Sequence, residues 1–214
     1  MAECGVDSVA YYDRNAKRFA ADTGSLDMAA LHERFLRHVP KGGRILDAGC
    51  GVGRDSVAFV ERGFTVLAFD ASAEMVRLAK QWVAGRAEVL QMRFEDVAWR
   101  EEFDGIWACA SLLHVPKAEF SAVAKRLASA LRPWGALYLS FKLGKGEREI
   151  AGRHFVNHTE ETMGAALHGT SLALTEIWTT GDVRPGRSGE RWINAIAKRT
   201  CVVSSPVSVQ AVVP

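Results

Sequence analysis

The segment Arg44-Ile-Leu-Asp-Ala-Gly-Cys-Gly-Val-Gly53 limits the possible folds of this chain more than any other. A short apolar run is followed at once by glycines at 49, 51 and 53, and then by a stretch of helical periodicity from Arg54. Alternating glycines between a strand and a helix allow backbone angles that other residues avoid and leave room for close approach. The first turn of the helix adds unpaired N–H groups. Such a turn lies at the carboxyl edge of an open α/β sheet, where these folds bind ligands. A tight strand–helix turn without a ligand satisfies the same pattern, so the loop alone leaves two readings open. Asp70 narrows them. It ends the next apolar run, Thr65–Asp70, and its position beside the loop suits a carboxylate accepting from a ribose diol. A dinucleotide fingerprint would need a small residue at position 54, which is Arg, and this argues against a nicotinamide-dependent oxidoreductase.

The rest of the chain repeats the strand–helix theme. Helices are expected over 8–21 and 26–38, from 54 to Gly63, after Ser72 through Trp82, from Pro116 to Leu131, and near 160–168. Apolar strands are expected at 44–48, 65–70, 88–92, 104–110 and 136–143, and a hairpin at 172–180 and 191–198. The expected fold is therefore α/β, a Rossmann-like, seven-stranded, mostly parallel sheet with helices on both faces and a C-terminal antiparallel hairpin. One domain over 1–200 is expected, with an N-terminal helical cover at 1–39, a core at 40–200 and a tail at 201–214. Lys142–Arg153 is rich in charge and glycine, and reads as a solvated loop or a mobile lid.

In four places, taken in order, the chain resembles the class I S-adenosylmethionine-dependent methyltransferases. Ile45–Gly53 is similar to their motif I, and Phe69–Met75 to the second-strand acid with its helix. Phe103–Trp107 with Leu112–Val115 is similar to strand four and its loop, and Leu131-Arg-Pro-Trp-Gly135 to the turn before strand five. The resemblance covers about residues 40–200 and looks nearest to the tellurite-resistance-like and related small-molecule branch. It implies S-adenosylmethionine as cofactor, S-adenosylhomocysteine as product, and in-line methyl transfer to a small-molecule acceptor. By resemblance, the backbone of Gly49, Cys50, Gly51 and Gly53 faces the methionine moiety and Asp47 reaches its ammonium. Asp70 holds the ribose, Ala71 and Met75 line the adenine pocket, and Cys109 and Ala110 underlie the methionine chain. Arg93 stands where many family members carry an acid, so adenine recognition is expected from Phe94, Glu95 or Asp96. Trp134 also departs from the family turn and reads as packing.

Methyl transfer needs a base only when the acceptor loses a proton. His114 and Tyr11 are the catalytic candidates, and Tyr11 and Tyr12 are expected to cover the cofactor from the first helix. Packing is the competing role for all three. Arg153 and Phe155 are expected to help close the pocket. No metal is expected, the pair His154 and His158 lacking a carboxylate, and Cys50 reads as a small spacer. A net charge of +2 argues against a nucleic-acid acceptor. Four scattered cysteines, a polar start and no apolar run near ~20 residues lead to an expectation of a cytoplasmic protein with no membrane partner. A non-catalytic cofactor-binding sensor is the alternative function, and oligomeric state is unreadable.

Overall fold

The computed structural model describes residues 7–200. The tail expected at 201–214 lies outside them. The parallel core comprises β1 (Arg44–Ala48), β2 (Thr65–Asp70), β3 (Glu88–Gln91), β4 (Phe103–Ala108) and β5 (Leu131–Leu143). The helices are α1 (Ser8–Thr23), α2 (Ala29–Leu36), α3 (Arg54–Glu61), α4 (Ala73–Val83) and α5 (Lys117–Ala130). β6 (Glu147–Ile150), β7 (Arg153–His158), α6 (Glu160–Leu167), β8 (Leu172–Gly181) and β9 (Arg191–Arg199) complete the chain.

Local chemistry sets these boundaries. The Asp7 carboxylate accepts from Val9 N and starts α1, and Ser72 Oγ accepts from Met75 N to start α4. Pro116 caps α5, where a missing N–H costs nothing. The strands of the parallel core are nearly continuous apolar runs, as a sheet covered on both faces requires. Leu46, Phe69, Ile106, Leu139 and Phe103 pack with α5 on one face, while Ile45, Trp107 and Tyr138 pack with Phe35 and Phe59 on the other. Trp107 stacks on Tyr138 with ring centroids 3.9 Å apart.

The order is β3-β2-β1-β4-β5, followed by β9 antiparallel to β5 and β8 antiparallel to β9. The expected strands are all present, including the reversed C-terminal pair. One pair was not expected. The segment read as a loop or lid instead holds the hairpin β6–β7, closed by Ala151 and Gly152 at φ +50° and +76°. That pair of positive angles matches the twist a two-residue hairpin turn requires. β7 also runs parallel to the end of β5, pairing Lys142 with Asn157 and Leu143 with His158. His154 and His158 therefore lie on a strand. No helix among the described residues is long and apolar enough to cross a membrane.

Candidate functional site

The carboxyl ends of β1, β2 and β4, the start of α1 and the β6–β7 hairpin enclose a cavity of about 1170 Å³. Pockets for one drug-sized ligand run to roughly 1,000 Å³, so there is room for a cofactor and a second molecule. Gly49, Gly51 and Gly53 all have positive φ, at +77°, +55° and +83°. Their surroundings differ. A Cβ on Gly49 would lie 2.4 Å from that of Ser111, whose hydroxyl donates to Ala48 O. A Cβ on Gly51 would meet only Phe19, at 3.5 Å, so the cradle at this position is open. Gly53 caps α3 and packs on Ala79, at 3.2 Å from where a Cβ would be.

Asp70 is fixed by its own neighbours. Its Oδ2 accepts from Gly51 N and its Oδ1 from Ser72 N, both at 2.9 Å. Burial raises its carboxyl, and the bonds from Ser72 and Gly51 oppose that shift. Each oxygen keeps a lone pair for a further donor, and Asp70 lines the cavity. Ser72 Oγ donates in turn to Asp13 on α1 at 2.6 Å, which ties the first helix to the site. Asp47 is only 2% exposed and accepts from Ser56 Oγ at 2.6 Å. Burial, then the charge of Asp55, pushes Asp47 up to about 8. Asp55 itself is held low against burial by Arg54 and His32, and it also accepts from Trp107 Nε1 at 2.9 Å. Arg54 thus serves as a buried counter-ion under the loop, where a dinucleotide fingerprint has a small residue.

His114 follows β4 in the turn Leu112–His114. Its Nδ1 lies 2.6 Å from the His154 carbonyl, which can only accept, so Nδ1 carries the proton. Nε2 then accepts from the Tyr12 hydroxyl at 2.7 Å. Burial, reinforced by Arg153 and His154 although the bond to the His154 carbonyl opposes it, drives His114 down to about 4. The ring is neutral at physiological pH. Burial raises the Tyr12 phenol, so the pair is phenol and imidazole rather than phenolate and imidazolium. Neither cavity thiol is a ready nucleophile, because burial pushes Cys109 up to about 12 and Cys50 well above its ordinary value.

Of the residues singled out in the sequence, Tyr12, Asp47, Gly49, Cys50, Gly51, Asp70, Ala71, Met75, Phe94, Glu95, Cys109, Ala110 and His114 line this one cavity. Tyr11, Gly53 and Asp96 lie off its wall. Tyr11 packs edge-on against Tyr12, under the Arg153 guanidinium. Asp96 accepts from Arg93 N and caps the turn Phe94–Asp96. Sequence reasoning missed Asp13, Ser111 and the His32–Asp55–Arg54 cluster. Only a helix start at Ser72 hinted at the first, and no local pattern marks the others.

Residues 45–135 match the family model described as a methyltransferase domain. A curated relative, ubiquinone biosynthesis O-methyltransferase from Xanthomonas axonopodis pv. citri, is 34% identical over 56% of this chain and 54% of its own length. The chain spans about half the length of the curated relatives it matches. Among solved structures, Burkholderia thailandensis 1,6-didemethyltoxoflavin-N1-methyltransferase, with bound 1,6-didemethyltoxoflavin and S-adenosylhomocysteine, superposes with TM-score 0.73. That match covers 90% of this chain and 85% of the other, at 23% identity. A TehB-like methyltransferase from Corynebacterium glutamicum superposes with TM-score 0.67 at 20% identity, covering 90% and 98%. At these identities the superpositions speak for the fold.

Proposed function

We propose that the chain is a class I S-adenosylmethionine-dependent methyltransferase that methylates a small molecule, a reading supported by the methyltransferase-domain match and the shared fold. The observation that carries this reading is Asp70, locked by the Gly51 and Ser72 amides on the wall of a cavity with room for two ligands. The residues suit the cofactor. Gly51 leaves open space where a side chain would stand, Asp70 has lone pairs for a ribose diol, and Asp47 offers a buried carboxyl to an ammonium. Ala71, Met75, Phe94 and Glu95 supply the adenine end, and Cys109 and Ala110 the floor beneath the methionine chain.

When bound, the cofactor supplies a methyl group on a sulfonium sulfur that leaves as a neutral thioether. The chain supplies alignment and a dry site. α1 covers the glycine loop, and Tyr12 closes the cavity from that side with Phe19 against its ring. Tyr12 and His114 position a proton rather than take one up. The Tyr12 hydroxyl donates to His114 Nε2, and its oxygen keeps a lone pair that can accept a hydrogen bond from the acceptor while both groups stay neutral. Tyr11, off the cavity wall, supports Tyr12 by packing.

The near-neutral charge favours a small acceptor over a nucleic acid, and the reading is of one domain working in the cytoplasm. The test is methyl transfer from labelled S-adenosylmethionine across thiols, amines, carboxylates and oxyanions, tellurite included. The reading expects turnover with at least one class and equimolar S-adenosylhomocysteine. Tight cofactor binding with no turnover in any class would favour a sensor, and nicotinamide binding without S-adenosylhomocysteine binding an oxidoreductase.

A further inference from the structure

Arg153 has no carboxylate partner among the described residues. It opens β7 just after the tight Ala151–Gly152 turn and lines the cavity. Its guanidinium carbon lies 4.3 Å from the Tyr11 ring centroid and 5.0 Å from that of Phe155. Aromatic rings attract the cation and restrict its motion, but they accept none of its in-plane N–H bonds. Arg153 Nε is buried without a hydrogen-bond partner, and the neighbouring His154 Nε2 is buried without one as well. Glu149 lines the same cavity and Glu147 lies 3.8 Å from His154, yet no carboxylate among the described residues pairs with Arg153. Arg54 and Arg184 each pair with a neighbouring aspartate, Asp55 and Asp182. Arg148 and Arg191 also line the cavity without a carboxylate, but Arg153 Nε is the one arginine nitrogen among the described residues that is buried without a partner. A buried donor on a cation without a counter-ion is costly unless something supplies the anion.

Position in the sheet separates this group from the cofactor cradle. The glycine loop and Asp70 stand at the ends of β1 and β2, whereas β7 lies beyond β4 and β5 on the far side of that order. Tyr12 and His114 lie within the electrostatic reach of Arg153, with the Tyr12 hydroxyl close enough to interact with the guanidinium directly. Among charged neighbours such as Arg148 and Glu149, the cavity rim near the hairpin exposes three aliphatic side chains, Leu143 at 39%, Ile150 at 44% and Val183 at 53%. A guanidinium with a buried, unpartnered Nε–H matches a carboxylate, and the exposed aliphatic side chains on the rim match an apolar body attached to it.

We propose that Arg153 is the specificity-determining residue of the acceptor site, and that the methyl acceptor is an apolar molecule carrying a carboxylate that pairs with this guanidinium. The proposal rests on the methyltransferase reading above. The two are separable because one depends on the cofactor cradle and the other on β7.

The test uses the full chain saturated with S-adenosylhomocysteine. Benzoate and its neutral isostere benzamide are titrated while the Arg153 Nε–H resonance is followed by NMR, its assignment taken from Arg153→Lys. Benzoate is expected to bind saturably and shift that resonance, with benzamide weaker by about tenfold or more. Arg153→Gln should weaken benzoate by about tenfold, and Arg153→Lys should retain part of that affinity, while both leave S-adenosylhomocysteine affinity within about threefold. Equal binding of benzoate and benzamide, no saturable shift, or unchanged benzoate affinity in Arg153→Gln overturns the proposal. A matching loss of S-adenosylhomocysteine affinity also overturns it, because Arg153 would then serve the cofactor's own carboxylate. Failure of the unmodified chain to bind S-adenosylhomocysteine removes the methyltransferase reading first. Melting curves of both variants distinguish lost binding from lost folding.

Discussion

Two acids at the ends of neighbouring strands perform different tasks because their surroundings differ. Asp70 is oriented by two backbone amides, and Asp70→Ala removes both the proposed ribose acceptors and the clamp on Gly51. Two charge-assisted hydrogen bonds of ~1.5 kcal/mol each correspond to roughly a hundredfold loss in S-adenosylhomocysteine affinity, measured by calorimetry. Asp47, at about 8, is mostly protonated near pH 7 in the free protein. A ligand ammonium favours the carboxylate, so binding near pH 7 releases a proton. Calorimetry in buffers of different ionisation enthalpy detects that release, and Asp47→Asn should abolish it. His114 has the opposite sign. Its folded value, about 4, lies below the ordinary 6.5, so the unfolded chain binds more protons between those values. Stability is then lost as pH falls from about 6.5 toward 4, and His114→Gln should flatten that part of a melting-temperature profile.

At the scale of elements, the three loop glycines are separable by experiment. Gly49→Ala forces a Cβ against Ser111 at positive φ, and should destabilise by roughly 2–5 kcal/mol, a drop of about 5–15 °C in melting temperature. Gly51→Ala meets only Phe19 and should cost about 1 kcal/mol of stability. It nonetheless fills the open cradle, so S-adenosylhomocysteine binding should fall while the fold survives. The same locality explains what sequence reading could reach. The glycine loop and the Ser72 cap are each set by residues within a few positions, and Asp70 is marked by its place at the end of the next apolar run. The β6–β7 hairpin is not, because β6 is exposed throughout and charged at three of four positions, leaving no alternation to read. What orders it is distant: β7 pairs with the end of β5, Ser8 Oγ accepts from His154 N, and the His154 carbonyl accepts from His114. Arg153 is legible as a charge. Its missing counter-ion is visible only once α1, β7 and the end of β5 have been brought together.

Across the whole molecule, the proposed cofactor cradle, the Tyr12–His114 pair and the proposed acceptor anchor line one cavity. The core supplies the cradle through the ends of β1 and β2, and the inserted hairpin supplies the anchor. This division puts specificity on the element that departs from the expected seven strands, and the shared chemistry on those that do not. The central claim is that the glycine loop and Asp70 bind the nucleoside of S-adenosylmethionine. Calorimetric titration of S-adenosylhomocysteine into the unmodified chain and into Asp70→Ala tests it most directly. Saturable binding at one molecule per chain, lost in the variant while its melting curve stays cooperative, is the expected result. No binding to the unmodified chain, or equal affinity in the folded variant, would contradict it.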